Sequence, residues 1–329
     1  MKKTCSLDLS TLDQLDLTAR QEEIVHWQGR DCLRLNGLAI LPCPALEEGR
    51  IEVEIGAEGA AYPGVAFRIK DTLNYELAYA QPHTSGKWDA LQYDPVFHGS
   101  NTWQMYHGAG FQQTADVSQG RWFTLAVDFK QDQALVQLDQ QPPLAIPRLA
   151  HEIRRGRLGL WTYQPAYFST VRVMPLAHLP ARLPESSPAP VCEECPEAWF
   201  VKGFGSAACE PHGVLNLNRY LPAAMGKAEL VRSFDLAESG SVQFEVGYSD
   251  HCILEIDGRE IHRGEHRFHP SPDWDQRGYV NAQHAFSLPL EAGRHRIDVQ
   301  LSVSEPFGWG LFLKAGSAWL RWLPVELEN

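Results

Sequence analysis

Short runs in which apolar and polar residues alternate one by one recur along the whole chain. Arg50-Ile51-Glu52-Val53-Glu54-Ile55, Trp122-Phe123-Thr124-Leu125-Ala126-Val127-Asp128-Phe129 and Ser241-Val242-Gln243-Phe244-Glu245-Val246 all show it. A period of two is the mark of a strand with one buried face and one wetted face. No stretch of a dozen residues keeps an apolar stripe at helical spacing, and only 144–155 reads as a short helix. Gly, Pro, Asn and Asp separate the runs. The expectation is an all-β chain of many short strands packed as β-sandwiches.

At 329 residues the chain is long enough for two cores. The clearest boundary is a run of prolines, Pro175, Pro180, Pro184, Pro188, Pro190 and Pro196, with Ser186-Ser187 among them. Proline this dense sustains neither a helix nor an inner strand, so 174–198 reads as a semi-rigid linker. The expected architecture is therefore two β-sandwich (jelly-roll) domains, 1–173 and 199–329, joined by that linker.

Charge narrows the partners. Twenty-nine Lys and Arg against 41 Asp and Glu give a net charge of −12. That balance repels a phosphate backbone, and no basic run offers a local exception, so nucleic acid is not expected as a partner. No run approaches the apolar length of a membrane span, and Asp8 interrupts the N-terminus before any signal-like apolar core forms. The expected location is the cytoplasm, although a chain whose export signal had been removed would read the same. Seven cysteines, unevenly spaced, do not form a disulfide framework.

The segment from Pro63 to His107 carries the most chemistry. Val65, Phe67 and Ile69 alternate with Ala66, Arg68 and Lys70, and Leu73 to Tyr79 alternates again. A three-residue turn at 71–73 would set Arg68 opposite Glu76 and Phe67 opposite Leu77. A two-residue turn would place Phe67 against Glu76, which parity disfavours. Continuing the pattern through Leu91, Tyr93, Trp103 and Met105 leaves Arg68, Asn74, Glu76, Gln92, Gln104 and Tyr106 on one polar face among small alanines. Planar amides, a guanidinium and a carboxylate beside small residues suit a hydroxyl-rich ligand. From the pattern alone, an ordinary solvated face with one ion pair is an equal reading.

Several strings here resemble a known group. Tyr62-Pro63-Gly64-Val65-Ala66-Phe67-Arg68, Asn74-Tyr75-Glu76, Gln81-Pro82-His83-Thr84-Ser85-Gly86, Asp89-Ala90-Leu91-Gln92-Tyr93 and Pro95-Val96-Phe97-His98-Gly99 are similar to a bacterial branch of the concanavalin A-like (laminin G-like) jelly rolls. That branch is close to the 3-keto-disaccharide hydrolase group, and the resemblance spans about residues 30–173. It implies a concave sheet that recognises an oligo- or polysaccharide, with Arg68 and Glu76 near its centre. It does not imply an activity, because this fold hosts lectins, hydrolases and lyases.

Binding is the preferred reading, with contacts from Arg68, Asn74, Glu76, His83, Gln92, Gln104 and Tyr106. A glycan-cleaving enzyme is the alternative, with Glu76 as acid/base group and His83 or Arg68 assisting, but a glycosidase usually needs two carboxylates and only Glu76 lies on the polar face. A third reading is an assembly protein without a sugar ligand. No cofactor is assigned, and the sequence leaves the oligomeric state open.

The second half offers three further motifs. Glu255-Ile256-Asp257-Gly258-Arg259-Glu260 matches the E-x-D-x-x-E pattern of laminarinase-type glycosidases, but Asp257-Gly258 is a hairpin signal that would break the strand such a site requires. The order of runs across about 197–325 resembles the galactose-binding-like jelly rolls, where Asp250, Trp274 and Trp309 are candidate contacts; core packing is the preferred role for the two tryptophans. Cys192-Glu-Glu-Cys195 followed by Cys209-Glu-Pro-His212 has zinc-like spacing. Because 199–204 reads as an extended strand between the pairs, free or redox-labile thiols are preferred and no metal is assigned. His262, His266 and His269, beside Arg263 and Arg267, read as a polar loop.

Overall fold

The computed structural model describes residues 5–10, 15–174, 192–270 and 278–325. Among these residues there is no α-helix, only strands, turns and single-turn 3₁₀ segments. The chain forms two compact units: Met1–Gly99 with Tyr106–Ser187, and Ser100–Met105 with Pro188–Asn329. The expected Pro-rich linker falls largely on 175–191, outside the described residues.

In the first unit one path of paired strands runs Gln112–Gln113, Leu91–Tyr93, Asn74–Ala80, Gly64–Asp71, Arg157–Met174, Gly49–Gly56, Phe123–Lys130, Gln133–Leu138 and Leu144–Ile146. The long strand Arg157–Met174 makes it a sandwich. Its first residues pair with Gly64–Asp71, and from Tyr167 onward it pairs with Gly49–Gly56. Between Thr162 and Ala166 its register slips against Arg30–Ile40. Gln164 sits there at φ 73°, and the Thr162 hydroxyl donates to the Gln164 carbonyl at 2.7 Å. An irregularity of this kind bends a strand, so one strand turns the corner from one layer into the other. Phe67 then meets Phe129 across the core, ring centroids 5.4 Å apart.

The helix expected over 144–155 is not formed. Leu144–Ile146 is a strand paired with 134–136. Pro142, Pro143 and Pro147 flank it, and each fixes φ and withholds a backbone donor that a helix would need.

The second unit has its own two sheets. One runs Gly205–Ala208, Ala198–Val201, Lys227–Leu236, Gly293–Ser302, Asp250–Ile256, Arg259–His266; the other runs Val214–Asn216, Gly310–Gly316, Gly240–Tyr248, His284–Leu290. Trp199, Phe234, Phe244, Tyr248 and Trp309 are fully buried among aliphatic residues in its core. Trp309 is thus core packing rather than an exposed platform, and Trp274 lies outside the described residues.

Candidate functional site

The hairpin Gly64–Asp71 and Asn74–Ala80 does not keep the expected register. Asp71 pairs with Asn74 around a two-residue turn, and Phe67 pairs with Glu76, with a register shift between the two. Arg68 absorbs the extra residues at φ 49°, in the left-handed region. A Cβ on Gly156 would come within 2.5 Å of the Arg68 Cα, so only a bare backbone can lie against this bulge. The expected three-residue turn is replaced by a two-residue turn, which moves the register by one residue, and the bulge at Arg68 then adds two more on one strand.

Glu76 therefore shares the core side with Phe67, Ala78 and Tyr93. It is completely buried. Its Oε2 accepts from the Tyr93 hydroxyl at 2.6 Å and its Oε1 from the His151 amide at 3.0 Å; the Tyr93 oxygen in turn accepts from the Ala150 amide at 2.7 Å. Burial, then the neighbouring Glu76 charge, raises the Tyr93 phenol well above its ordinary pKa. Arg68 is also buried, with its guanidinium over the Phe129 ring. It donates to the Glu47 carbonyl at 3.3 Å and to the Gln131 carbonyl. Burial lowers its pKa, with the Glu76 charge pulling the other way.

The remaining expected contacts separate. Asn74 ties loops together, donating to Asp71 at 2.9 Å and accepting from the His98 amide at 3.2 Å. Tyr106 is buried edge-on to Tyr93 and Phe111. Gln104 belongs to the second unit, and 103–105 is a turn rather than the expected strand, closed by the Met105 amide on the Thr102 carbonyl at 2.8 Å.

Gln92 and His83 lie together elsewhere. Gln92 pairs directly with Tyr79, so both side chains stand on the face opposite Glu76. The Gln92 oxygen accepts from Gln81 and Gln112, each at 3.3 Å, while its amide nitrogen is buried without a hydrogen-bond partner. Tyr79 meets Tyr62 at 5.9 Å and Trp161 at 5.7 Å between ring centroids. Tyr62 is the hub: His83 lies 4.9 Å from it and Tyr163 lies 5.9 Å from it. Tyr163 is 45% exposed, carried outward by the corner of Arg157–Met174, and its carbonyl accepts from the Tyr62 amide at 3.2 Å. The result is a ledge of rings with a wet edge at Tyr163. His83 and Gln92 were among the expected contacts, whereas Tyr62, Trp161 and Tyr163 were passed over; the aromatics of 161–163 beside Gln164-Pro165 were the available signal.

The second unit confirms the hairpin at Asp257-Gly258. Asp257 at φ 53° and Gly258 at φ 74° form the two-residue turn, and Ile256 pairs with Arg259. Asp257 accepts from the Arg296 amide at 2.9 Å and meets His295 Nδ1 at 2.6 Å. Burial alone would lower the His295 pKa, but the Asp257 bond and the Glu291 carbonyl outweigh it and the value is raised. A raised folded-state pKa adds stability that is full below about 6.5, the unfolded value, and is lost as pH rises through the folded one. Asp257→Asn, which tolerates the left-handed turn, is expected to cost about 1 kcal/mol near pH 5.5 and less near pH 8.5. Urea unfolding at the two pH values checks this.

Cys192 and Cys195 are joined in a disulfide, so of the free or redox-labile thiols expected there, this pair is not free. The bridge also removes two of the four ligands from the zinc-like spacing. Cys209 packs against the core instead, and burial pushes its thiol up to about 12.

No family model matches the chain, and no curated protein matches it. Solved structures do. A carbohydrate-binding module, CBM66, from Bacillus subtilis is 15% identical, with a TM-score of 0.36 over 46% of this chain and 91% of that one. A beta-glucanase from Bacillus licheniformis is 9% identical, with a TM-score of 0.36 over 53% of this chain and 98% of that one. A sialidase from Trypanosoma rangeli is 11% identical, with a TM-score of 0.34 over 51% of this chain and 30% of that one.

Proposed function

We propose that the first unit binds an oligo- or polysaccharide on the ledge formed by Tyr62, His83, Trp161 and Tyr163. The observation that carries this reading is the exposed ring of Tyr163 continuing a cluster of aromatic rings. The C–H faces of a sugar ring pack on such surfaces, while phenol and imidazole edges serve its hydroxyls.

Cleavage has less support. Its acid/base candidate, Glu76, is turned to the core and accepts hydrogen bonds from Tyr93 and His151. Assembly without a sugar ligand lacks an observation that favours it.

Saturation-transfer NMR on gluco-, xylo- and galacto-oligosaccharides, with spectra repeated overnight, tests the proposal. Binding without new anomeric signals is expected. Tyr163→Ala should weaken it about tenfold, worth about 1.4 kcal/mol, without changing stability, because the ring is a surface group. New anomeric signals from the wild type would make the protein an enzyme and overturn the reading.

A further inference from the structure

Two histidines and a tyrosine gather at one side of the second unit, with a third histidine beside them. His262 lies on Arg259–His266, the edge strand of one sheet, and His284 begins His284–Leu290, the edge strand of the other. This replaces the polar loop expected of His262 and His266, while His269 lies beyond the strand. Tyr248, buried at the end of Gly240–Tyr248, reaches between them. Its hydroxyl lies 2.8 Å from His262 Nε2 and 3.4 Å from His284 Nε2, and the two imidazole centroids are 4.4 Å apart. A Cβ on Gly264 would meet the Tyr248 oxygen at 2.1 Å and His262 Nε2 at 3.0 Å. Glycine at 264 is thus what lets these donor atoms converge over that strand.

His266 stands one layer out, its ring 6.5 Å from that of Tyr248. It hydrogen-bonds to the Tyr279 backbone, and its Nε2 is buried without a hydrogen-bond partner. A backbone carbonyl on one ring nitrogen fixes the tautomer and leaves the other nitrogen's lone pair for a ligand, the arrangement that surrounds metal-bound imidazoles.

We propose that His262, His284 and Tyr248 form a binding site for a divalent transition-metal ion, with His266 beside it. Among the described residues no three His, Cys, Asp or Glu side chains are already gathered to hold a metal. Here two imidazoles and a phenol supply the first three donors. Imidazole nitrogen selects zinc, nickel or copper over calcium or magnesium. As the ion binds, the Tyr248 O–H bond breaks and its proton leaves to solvent, and the phenolate oxygen displaces one of the water molecules that the ion carried in solution. The bound ion would join the edge strands of the two sheets, closing the side of the sandwich where no ladder connects them.

The test uses the full chain stripped with a chelator and titrated with Zn(II) by calorimetry. One ion per chain is expected, with a Kd of about 1 μM, and the melting temperature should rise by about 5 °C at saturating zinc. His262→Gln and His284→Gln, each confirmed as folded by circular dichroism, should each weaken binding at least about tenfold. His251→Gln, on the neighbouring strand, should leave it unchanged. Copper(II) should give a phenolate charge-transfer band that Tyr248→Phe abolishes. Absence of zinc binding by the wild type, or full binding by both histidine variants, overturns the site. A copper-loaded wild type without the band overturns the part given to Tyr248.

Discussion

Glu76→Gln is expected to destabilise the first unit by about 3 kcal/mol while leaving sugar affinity intact. One carboxylate oxygen accepts from Tyr93 and the other from the His151 amide. Glutamine brings one oxygen. If that oxygen stays on His151, the new amide group points at a Tyr93 hydroxyl that already accepts from Ala150, and the phenol proton loses its acceptor. If the side chain flips, two donors face each other at His151. Either way a buried polar group goes unserved, and the nearby Arg68 guanidinium loses a compensating charge within a dry core. Hydrogen exchange along Asn74–Ala80, read by mass spectrometry on the full chain, should report the loss locally. Unchanged exchange combined with lost binding would mean that Glu76 touches the sugar, and the ledge would then be the wrong surface.

That variant and Tyr163→Ala form a complementary pair. One removes a buried charge and should spend its effect on stability; the other removes an exposed ring and should spend it on affinity. A lectin whose contacts were Arg68 and Glu76 would show the reverse for both.

The strands were legible because each is a local pattern. Arg50 to Ile55, Phe123 to Phe129 and Ser241 to Val246 all lie in strands, and Asp257-Gly258 turns as its residue types require. What was not legible depends on residues far apart in the chain. Arg68 leaves the strand pattern where Gly156, almost ninety residues away, lies against its backbone, and nothing between Val65 and Lys70 announces this. Pairing Asp71 rather than Lys70 with Asn74 is a slip of one residue, and such a slip exchanges the faces of a strand, so Glu76 moves from the expected polar face to the core. The ledge was hidden for the same reason. Tyr62 and Tyr163 meet only because a late strand changes layers, and a period-two reading has no term for a strand that turns a corner. His262 and His284 belong to edge strands of different sheets, so their meeting was equally beyond sequence spacing.

Trp103→Ala is expected to cost the second unit about 4 kcal/mol. Trp103 lies in Ser100–Met105, six residues that come long before the rest of that unit in the chain yet pack as part of it. Its indole meets Phe268, Tyr279 and Phe307, with centroids 5.5, 5.6 and 5.6 Å away. The backbone beside it is held as firmly: the Gln104 amide donates to the Phe307 carbonyl at 3.3 Å, and the Gln104 carbonyl accepts from the Val280 amide at 2.9 Å. Met105 fits so closely that a Cβ on Gly308 would lie 2.7 Å from its methyl carbon. Trp103 is partly buried, and truncating the indole strips three rings of their common packing partner, which is what makes such substitutions expensive. Trp103→Phe, which keeps a ring, should lose about half as much. The same packing predicts that a fragment covering 188–329 is less stable than the same region in the full chain, and that a peptide of residues 100–105 supplied in trans restores part of the difference. Thermal unfolding of the fragment with and without the peptide measures it. A fragment indifferent to the peptide, with Trp103→Ala changing stability by less than about 0.5 kcal/mol, would mean that the six residues rest on the unit without supporting it.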